Sequence, residues 1–142
     1  MPRIFATQTH KHDLYRLMKS LRLEEGNNMA SPITTHVLDT NLGKPAVGVA
    51  VVLSKLGADK QYQKIASGET NSDGRIVDWL EGQQREAGIY RIEFATDPYF
   101  EKQGMSCFYP TVTFDFRIEN PDEHYHVPLL VSAYGISTYR GS

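Results

Sequence analysis

A chain of 142 residues with 15 Lys and Arg against 17 Asp and Glu, and a net charge of −2, fits one domain large enough to bury about two thirds of its unfolded surface. No block of like charge appears, which argues against nucleic acid as a partner. The longest near-continuous apolar run, residues 47–53, is too short to span a bilayer. The single cysteine, Cys107, excludes an intrachain disulfide and suits a reducing compartment.

Residues 1–30 differ in character from the rest. Leu14, Leu17, Met18 and Leu21 recur at i, i+3, i+4 and i+7, with Arg16, Lys19 and Arg22 on the other side, the pattern of a short basic amphipathic helix. A helix this short is marginal in water, so residues 1–30 are expected as a flexible N-terminal extension and residues 31–142 as the folded domain. Asp13, Glu24 and Glu25 argue against a mitochondrial presequence. A peroxisomal address fits poorly as well, because Leu23 and Met29 stand where the two-part N-terminal signal needs His or Gln, and the chain ends in Gly-Ser. The expected compartment is the cytoplasm.

From Ile33 onward the punctuation is that of an all-β protein. Thr34 to Leu38 reads as a first strand, closed by Asp39-Thr40-Asn41-Leu42-Gly43-Lys44-Pro45, a turn-forming run. Val47, Val49, Val51 and Leu53 then alternate with Gly48, Ala50, Val52 and Ser54. Lys60 to Thr70 is a polar segment leading into Asn71-Ser72-Asp73-Gly74, a turn that fixes where Arg75 emerges. Tyr90, Ile92 and Phe94 alternate with Arg91 and Glu93, and Val112, Phe114, Phe116 and Ile118 with Thr113, Asp115 and Arg117, so both runs are half-buried strands. Between them, Asp97 as N-cap with Pro98 at the first helical position predicts one short helix. Seven to eight strands and one helix make a β-sandwich.

The last stretch is chemically the richest. His124 and His126 are two residues apart, which in a strand sends both imidazoles to one face, about 7 Å apart. A turn at Ser132-Ala133-Tyr134-Gly135 returns the chain from Gly135 towards Tyr139-Arg140-Gly141-Ser142. Taken singly, His36 on a strand is more often structural than catalytic, and Arg75 after a turn is more often a solvated charge. Converging, His36, Arg75, His124, His126 and the terminal tip would place neutral bases, fixed cations and a hydroxyl in one pocket. Three histidines also raise a zinc reading, for which Glu123 and Asp39 are the only neighbouring second-layer carboxylates. A Ser-His-Asp triad lacks a Gly-x-Ser-x-Gly elbow around Ser137 or Ser142. Water is the better nucleophile, with no metal and no cofactor expected.

His36 in Thr34-Thr35-His36-Val37-Leu38-Asp39, Arg75 after Asn71-Ser72-Asp73-Gly74, and the run from His124 to Ser142 together resemble the 5-hydroxyisourate hydrolases, the enzyme branch of the transthyretin-like family. The likeness covers about residues 32–142. Its most specific motif is Tyr139-Arg140-Gly141-Ser142, an ending that the hormone-carrying transthyretins lack, and Ala133 stands where the family often has proline. The resemblance implies a transthyretin-like (prealbumin-like) β-sandwich and hydrolysis of 5-hydroxyisourate to 2-oxo-4-hydroxy-4-carboxy-5-ureidoimidazoline in urate degradation. It further implies a homotetramer, a dimer of dimers with sites in the channel between them. His36, Arg75 and His126 would be catalytic, and His36, Arg75, Tyr139, Arg140 and Ser142 would contact substrate. Gly141 would let the chain turn tightly, the Ser142 carboxylate would orient an imidazole or Arg140, and His124 would support its neighbour. The alternative is a transthyretin-like carrier that binds a small aromatic ligand without turnover.

Overall fold

The strand expected at Thr34 to Leu38 forms as β1 (Ile33–Asp39), in a computed structural model that describes residues 31–80, 83 and 85–142. The helix expected around residues 14–21 lies outside the described residues. Along β1, Ile33, Thr35, Val37 and Asp39 point inward and are fully buried or nearly so, while His36 and Leu38 on the opposite face are half-buried. The same period of two recurs in β8 (Tyr125–Val131), where Tyr125, Val127, Leu129 and Val131 face the core.

Two sheets pack on these inward faces. The first joins β2 (Lys44–Pro45), β1, β8 and β9 (Ile136–Ser137) in that order, with β5 (Arg75–Ile76) also pairing β1. The second runs β4 (Tyr62–Glu69), β3 (Ala50–Leu56), β6 (Gly88–Phe94), β7 (Val112–Ile118). All pairings are antiparallel except β1 with β8. Ile33, Val37 and Leu129 from the first sheet meet Val51, Leu53, Ile92 and Phe94 from the second, and Phe100 of the helix α1 (Thr96–Glu101) closes one end. This is the expected β-sandwich. Its nine strands among the described residues exceed the expected seven to eight because three are two-residue pairings.

Four local expectations need correction. The alternation from Val47 does not begin a strand: Gly48 sits at φ 79°, Val47 is exposed, and β3 starts at Ala50. The polar segment from Lys60 contains β4, an edge strand with no fully buried residue, so no apolar face marks it in sequence. Helix α1 starts at Thr96, two residues before the expected Pro98, with Ala95 at the N-cap and no side-chain cap; Asp97 instead accepts the Cys107 Sγ hydrogen at 3.1 Å. The returning strand after Gly135 pairs over only Ile136 and Ser137.

The turn after β1 is held by a buried carboxylate. Asp39 Oδ1 accepts from the backbone N–H of Asn41 at 2.9 Å and of Leu42 at 3.2 Å, and Oδ2 accepts from the Tyr99 hydroxyl at 2.7 Å. Burial, reinforced by this carboxylate, pushes the Tyr99 phenol up to about 12. Asp39 thus serves the core and lies on the face of β1 opposite His36.

Candidate active site

Register assembles the site on the outer face of the first sheet. In the parallel β1–β8 pair, Thr34 lies opposite His126, His36 opposite Pro128 and Leu38 opposite Leu130. In the antiparallel β1–β5 pair, His36 lies opposite Arg75. Residues directly across a ladder share a face, so Thr34, His36, Arg75 and His126 lie together on the side away from the core.

Arg75 is aimed by its turn. Asn71 Oδ1 accepts from the N–H of Asp73 at 2.9 Å and of Arg75 at 3.0 Å, and the N–H of Asn71 donates to the Arg75 carbonyl at 3.0 Å. Gly74 adopts φ 74° and its carbonyl accepts the Val37 N–H at 2.7 Å; a Cβ there would lie 2.5 Å from the Val37 oxygen. Only glycine lets the turn lie this close to β1. Among the described residues, no carboxylate forms an ion pair with the Arg75 guanidinium.

His36 is biased towards its neutral form. Burial, and next the Arg75 charge, hold its pKa below 6.5, against an opposing backbone hydrogen bond and charge from Asp73. A neutral imidazole beside a permanent cation can accept a proton from water or hydrogen-bond a neutral ligand atom, while Arg75 offers a planar fork of donors.

The second histidine pair converges on one hydroxyl. Thr34 Oγ1 lies 2.8 Å from His126 Nδ1 and 2.9 Å from His124 Nε2. The chain end runs back along β8: Ser137 lies opposite Leu130, the Thr138 hydroxyl donates to the Pro128 carbonyl at 2.6 Å, and the Gly141 N–H donates to the His126 carbonyl at 2.8 Å. A Cβ on Gly141 would stand 2.4 Å from His126 Cδ2. The φ of Gly141 lies outside the left-handed region, so glycine is required by the imidazole's proximity and not, as the sequence suggests, by a tight turn. Ser142 follows, exposed.

Arg140 goes elsewhere. Its guanidinium donates to Glu123 Oε2 at 2.9 Å and lies 4.6 Å over the Tyr125 ring, whose side chain leaves β8 on the face opposite His126. Tyr139 is 61% exposed. Thr138, Tyr139 and Arg140 face Phe114 to Arg117 of β7 across a groove of about 310 Å³ that His126 also lines. The structure therefore brings His36, Arg75, His124 and His126 to one face, and Tyr139 and Arg140 line a groove that shares His126 with it.

Sequence reasoning missed Thr34, although its place two residues before His36 already puts it on the same strand face. For a metal, His124 Nε2 and His126 Nδ1 both lie within hydrogen-bond distance of the Thr34 oxygen, and Glu123 is engaged with Arg140. Among the described residues, no group of three or more His, Cys, Asp or Glu is arranged to hold an ion.

The profile of the HIUase/Transthyretin family matches residues 33–141. The chain belongs to this family. Within the HIUase/Transthyretin family it is 43% identical over 123 residues to the 5-hydroxyisourate hydrolase of Salmonella dublin, a match spanning 87% of this chain and 88% of that protein. Among solved structures, the 5-hydroxyisourate hydrolase of Klebsiella pneumoniae superposes with a TM-score of 0.67 at 35% identity, covering 78% of this chain and 92% of that one. Sea bream transthyretin in complex with thyroxine gives 0.73 at 34% identity, covering 78% and 94%. The fold is thus common to a 5-hydroxyisourate hydrolase and a transthyretin solved with thyroxine.

Proposed function

We propose that this protein hydrolyses 5-hydroxyisourate to 2-oxo-4-hydroxy-4-carboxy-5-ureidoimidazoline, a step of urate degradation. The observation that carries the reading is the outer face of β1, β5 and β8, where a neutral His36, Arg75 and the Thr34-linked His126 lie side by side. Identity of 43% to a 5-hydroxyisourate hydrolase supports it.

In the reaction, water oxygen bonds to a ring carbonyl carbon, that carbon's bond to nitrogen breaks, and the proton lost by water is returned to the leaving nitrogen. His126 accepts the proton and His36, held neutral, positions the water. Arg75 donates two hydrogen bonds to adjacent ring heteroatoms and stabilises the negative charge that grows on the carbonyl oxygen. Tyr139, Arg140 and Ser142 contact the substrate, Arg140 by exchanging its exposed Glu123 partner for a substrate oxygen. We further propose a homotetramer of two dimers, with this face lining a channel between them; light scattering at four times the chain mass is the expected result.

The carrier reading draws on the similarity to transthyretin with thyroxine, but a carrier of an apolar aromatic ligand has no use for two imidazoles and a guanidinium on one wall. The two differ in stoichiometry. Protein at one-hundredth of the concentration of freshly generated 5-hydroxyisourate should clear all of it faster than spontaneous decay. A carrier would protect at most an equimolar amount and leave the bulk decay unchanged.

A further inference from the structure

One hydroxyl serves two imidazoles from the same strand end. Thr34 lies on β1 directly opposite His126 of β8, and its Oγ1 sits 2.8 Å from His126 Nδ1 and 2.9 Å from His124 Nε2. Both distances are those of full hydrogen bonds. Thr34 is only 3% exposed, so its hydroxyl is placed by the ladder register and by a β-branched side chain with a stiff χ1.

A hydroxyl has one proton to donate and lone pairs to accept with. If both facing nitrogens were unprotonated, Thr34 could satisfy only one of them. If both were protonated, its own buried O–H would need a further acceptor. Within this trio, the hydroxyl's proton and a lone pair are both used only when one imidazole donates and the other accepts. The satisfied arrangement has one imidazole donating to Thr34 and the other accepting from it, so the tautomers of His124 and His126 are complementary.

We infer that Thr34 and His124 are positioning residues that lock the tautomer of His126 and relay its proton. The inference rests on the hydrolytic reading proposed above. For His126 Nε2 to accept a proton from water, the ring's other nitrogen must carry its hydrogen: Nδ1–H donates to Thr34 Oγ1, and the Thr34 O–H donates to His124 Nε2. When Nε2 takes a proton from water, His126 becomes an imidazolium. The His126 Nδ1–H bond then breaks as a new O–H bond forms on Thr34, while the original Thr34 O–H bond breaks as an N–H bond forms at His124 Nε2. The positive charge moves from His126 to His124, and the hydroxyl ends with one proton, as it began. Return of the water-derived proton to the leaving nitrogen runs the chain in reverse.

The test uses Thr34→Val, which keeps shape and loses the hydroxyl, Thr34→Ser, which keeps the hydroxyl, and His124→Phe, which removes the far acceptor. Two-bond proton–nitrogen spectra of histidine-labelled protein at pH 8 read the tautomers directly. The full chain should show His126 protonated at Nδ1, Thr34→Ser should preserve this, and Thr34→Val and His124→Phe should each shift His126 towards the Nε2–H form. With 5-hydroxyisourate, kcat should fall about 10- to 100-fold in Thr34→Val, by analogy with loss of the partner that orients a metal-ligating histidine, with KM little changed and most activity kept in Thr34→Ser. An unchanged His126 spectrum or an undiminished kcat in Thr34→Val would overturn the relay, and the same result in His124→Phe would overturn it should Thr34→Val not fold. Locked tautomers in a protein inactive on 5-hydroxyisourate would support the bridge and overturn the activity instead.

Discussion

Replacing Gly141 by alanine should disable the site through a single methyl group. The new Cβ would lie 2.4 Å from His126 Cδ2, 3.1 Å from Cγ and 3.2 Å from its Cβ, where ordinary contact begins at 3.4 Å. Something must give by about 1 Å, since carbon atoms cannot approach closer than about 3.5 Å without repulsion. If the ring yields, it leaves Thr34 and the 2.8 Å bond at Nδ1 is lost; if the tail yields, the 2.8 Å bond from Gly141 N–H to the His126 carbonyl is lost. Displacement of a reacting group by about 1 Å costs on the order of 10²-fold in rate. Loss of one hydrogen bond costs about 1 kcal/mol, which is a fall of roughly 4 °C in melting temperature for a domain of this size. Initial rates of 5-hydroxyisourate disappearance, beside thermal melts, measure both. Wild-type kcat in folded Gly141→Ala protein would refute the argument that the chain end seats the His126 ring.

His36 should titrate below 6.5, because burial and then Arg75 disfavour its imidazolium. Since its folded pKa is depressed, its contribution to stability is full above about 6.5 and declines as pH falls through 6.5 towards the folded value. Arg75→Gln removes the second of these causes and should raise the midpoint towards 6.5, read from the His36 ring resonances; an unmoved or lower midpoint would contradict the electrostatic account. The hydrolysis rate should fall on the acid side as the imidazoles charge, and a flat profile from pH 5 to 8 would exclude a histidine base. Deleting residues 139–142 should abolish turnover while the circular dichroism spectrum is kept, because these residues lie beyond β9 and include none of the buried core.

The parts of the site that strand periodicity and turn chemistry control are legible in sequence. His36 sits out of phase with Val37, and His126 out of phase with Val127 and Leu129, so both fall on the face opposite the core. Arg75 is announced by Asn71-Ser72-Asp73-Gly74, whose side-chain bonds and left-handed glycine set it against His36. What sequence does not reveal are consequences of register between distant strands. Thr34 meets His126 because β1 pairs β8 in parallel across 92 residues of chain. Nor does sequence reveal the contacts of the strand-like tail, where alternate residues diverge: Gly141 lies against His126 while Arg140 reaches Tyr125 and Glu123. β4 escapes notice because an edge strand buries neither face fully. Helix α1 starts two residues earlier than expected, and the Asp97 carboxylate takes the Cys107 hydrogen in place of a cap.

Under the proposed function, the outer face of β1, β5 and β8 performs the hydrolysis with His126 as its base. The most direct measurement compares wild-type protein with His126→Ala in single-turnover consumption of 5-hydroxyisourate at pH 8, protein in excess and both proteins matched in circular dichroism and oligomeric size. Removal of a positioned general base lowers a rate by about 10²- to 10⁴-fold, so the variant should fall towards the spontaneous decay of the substrate. A folded His126→Ala protein that consumes 5-hydroxyisourate at the wild-type rate would contradict the account.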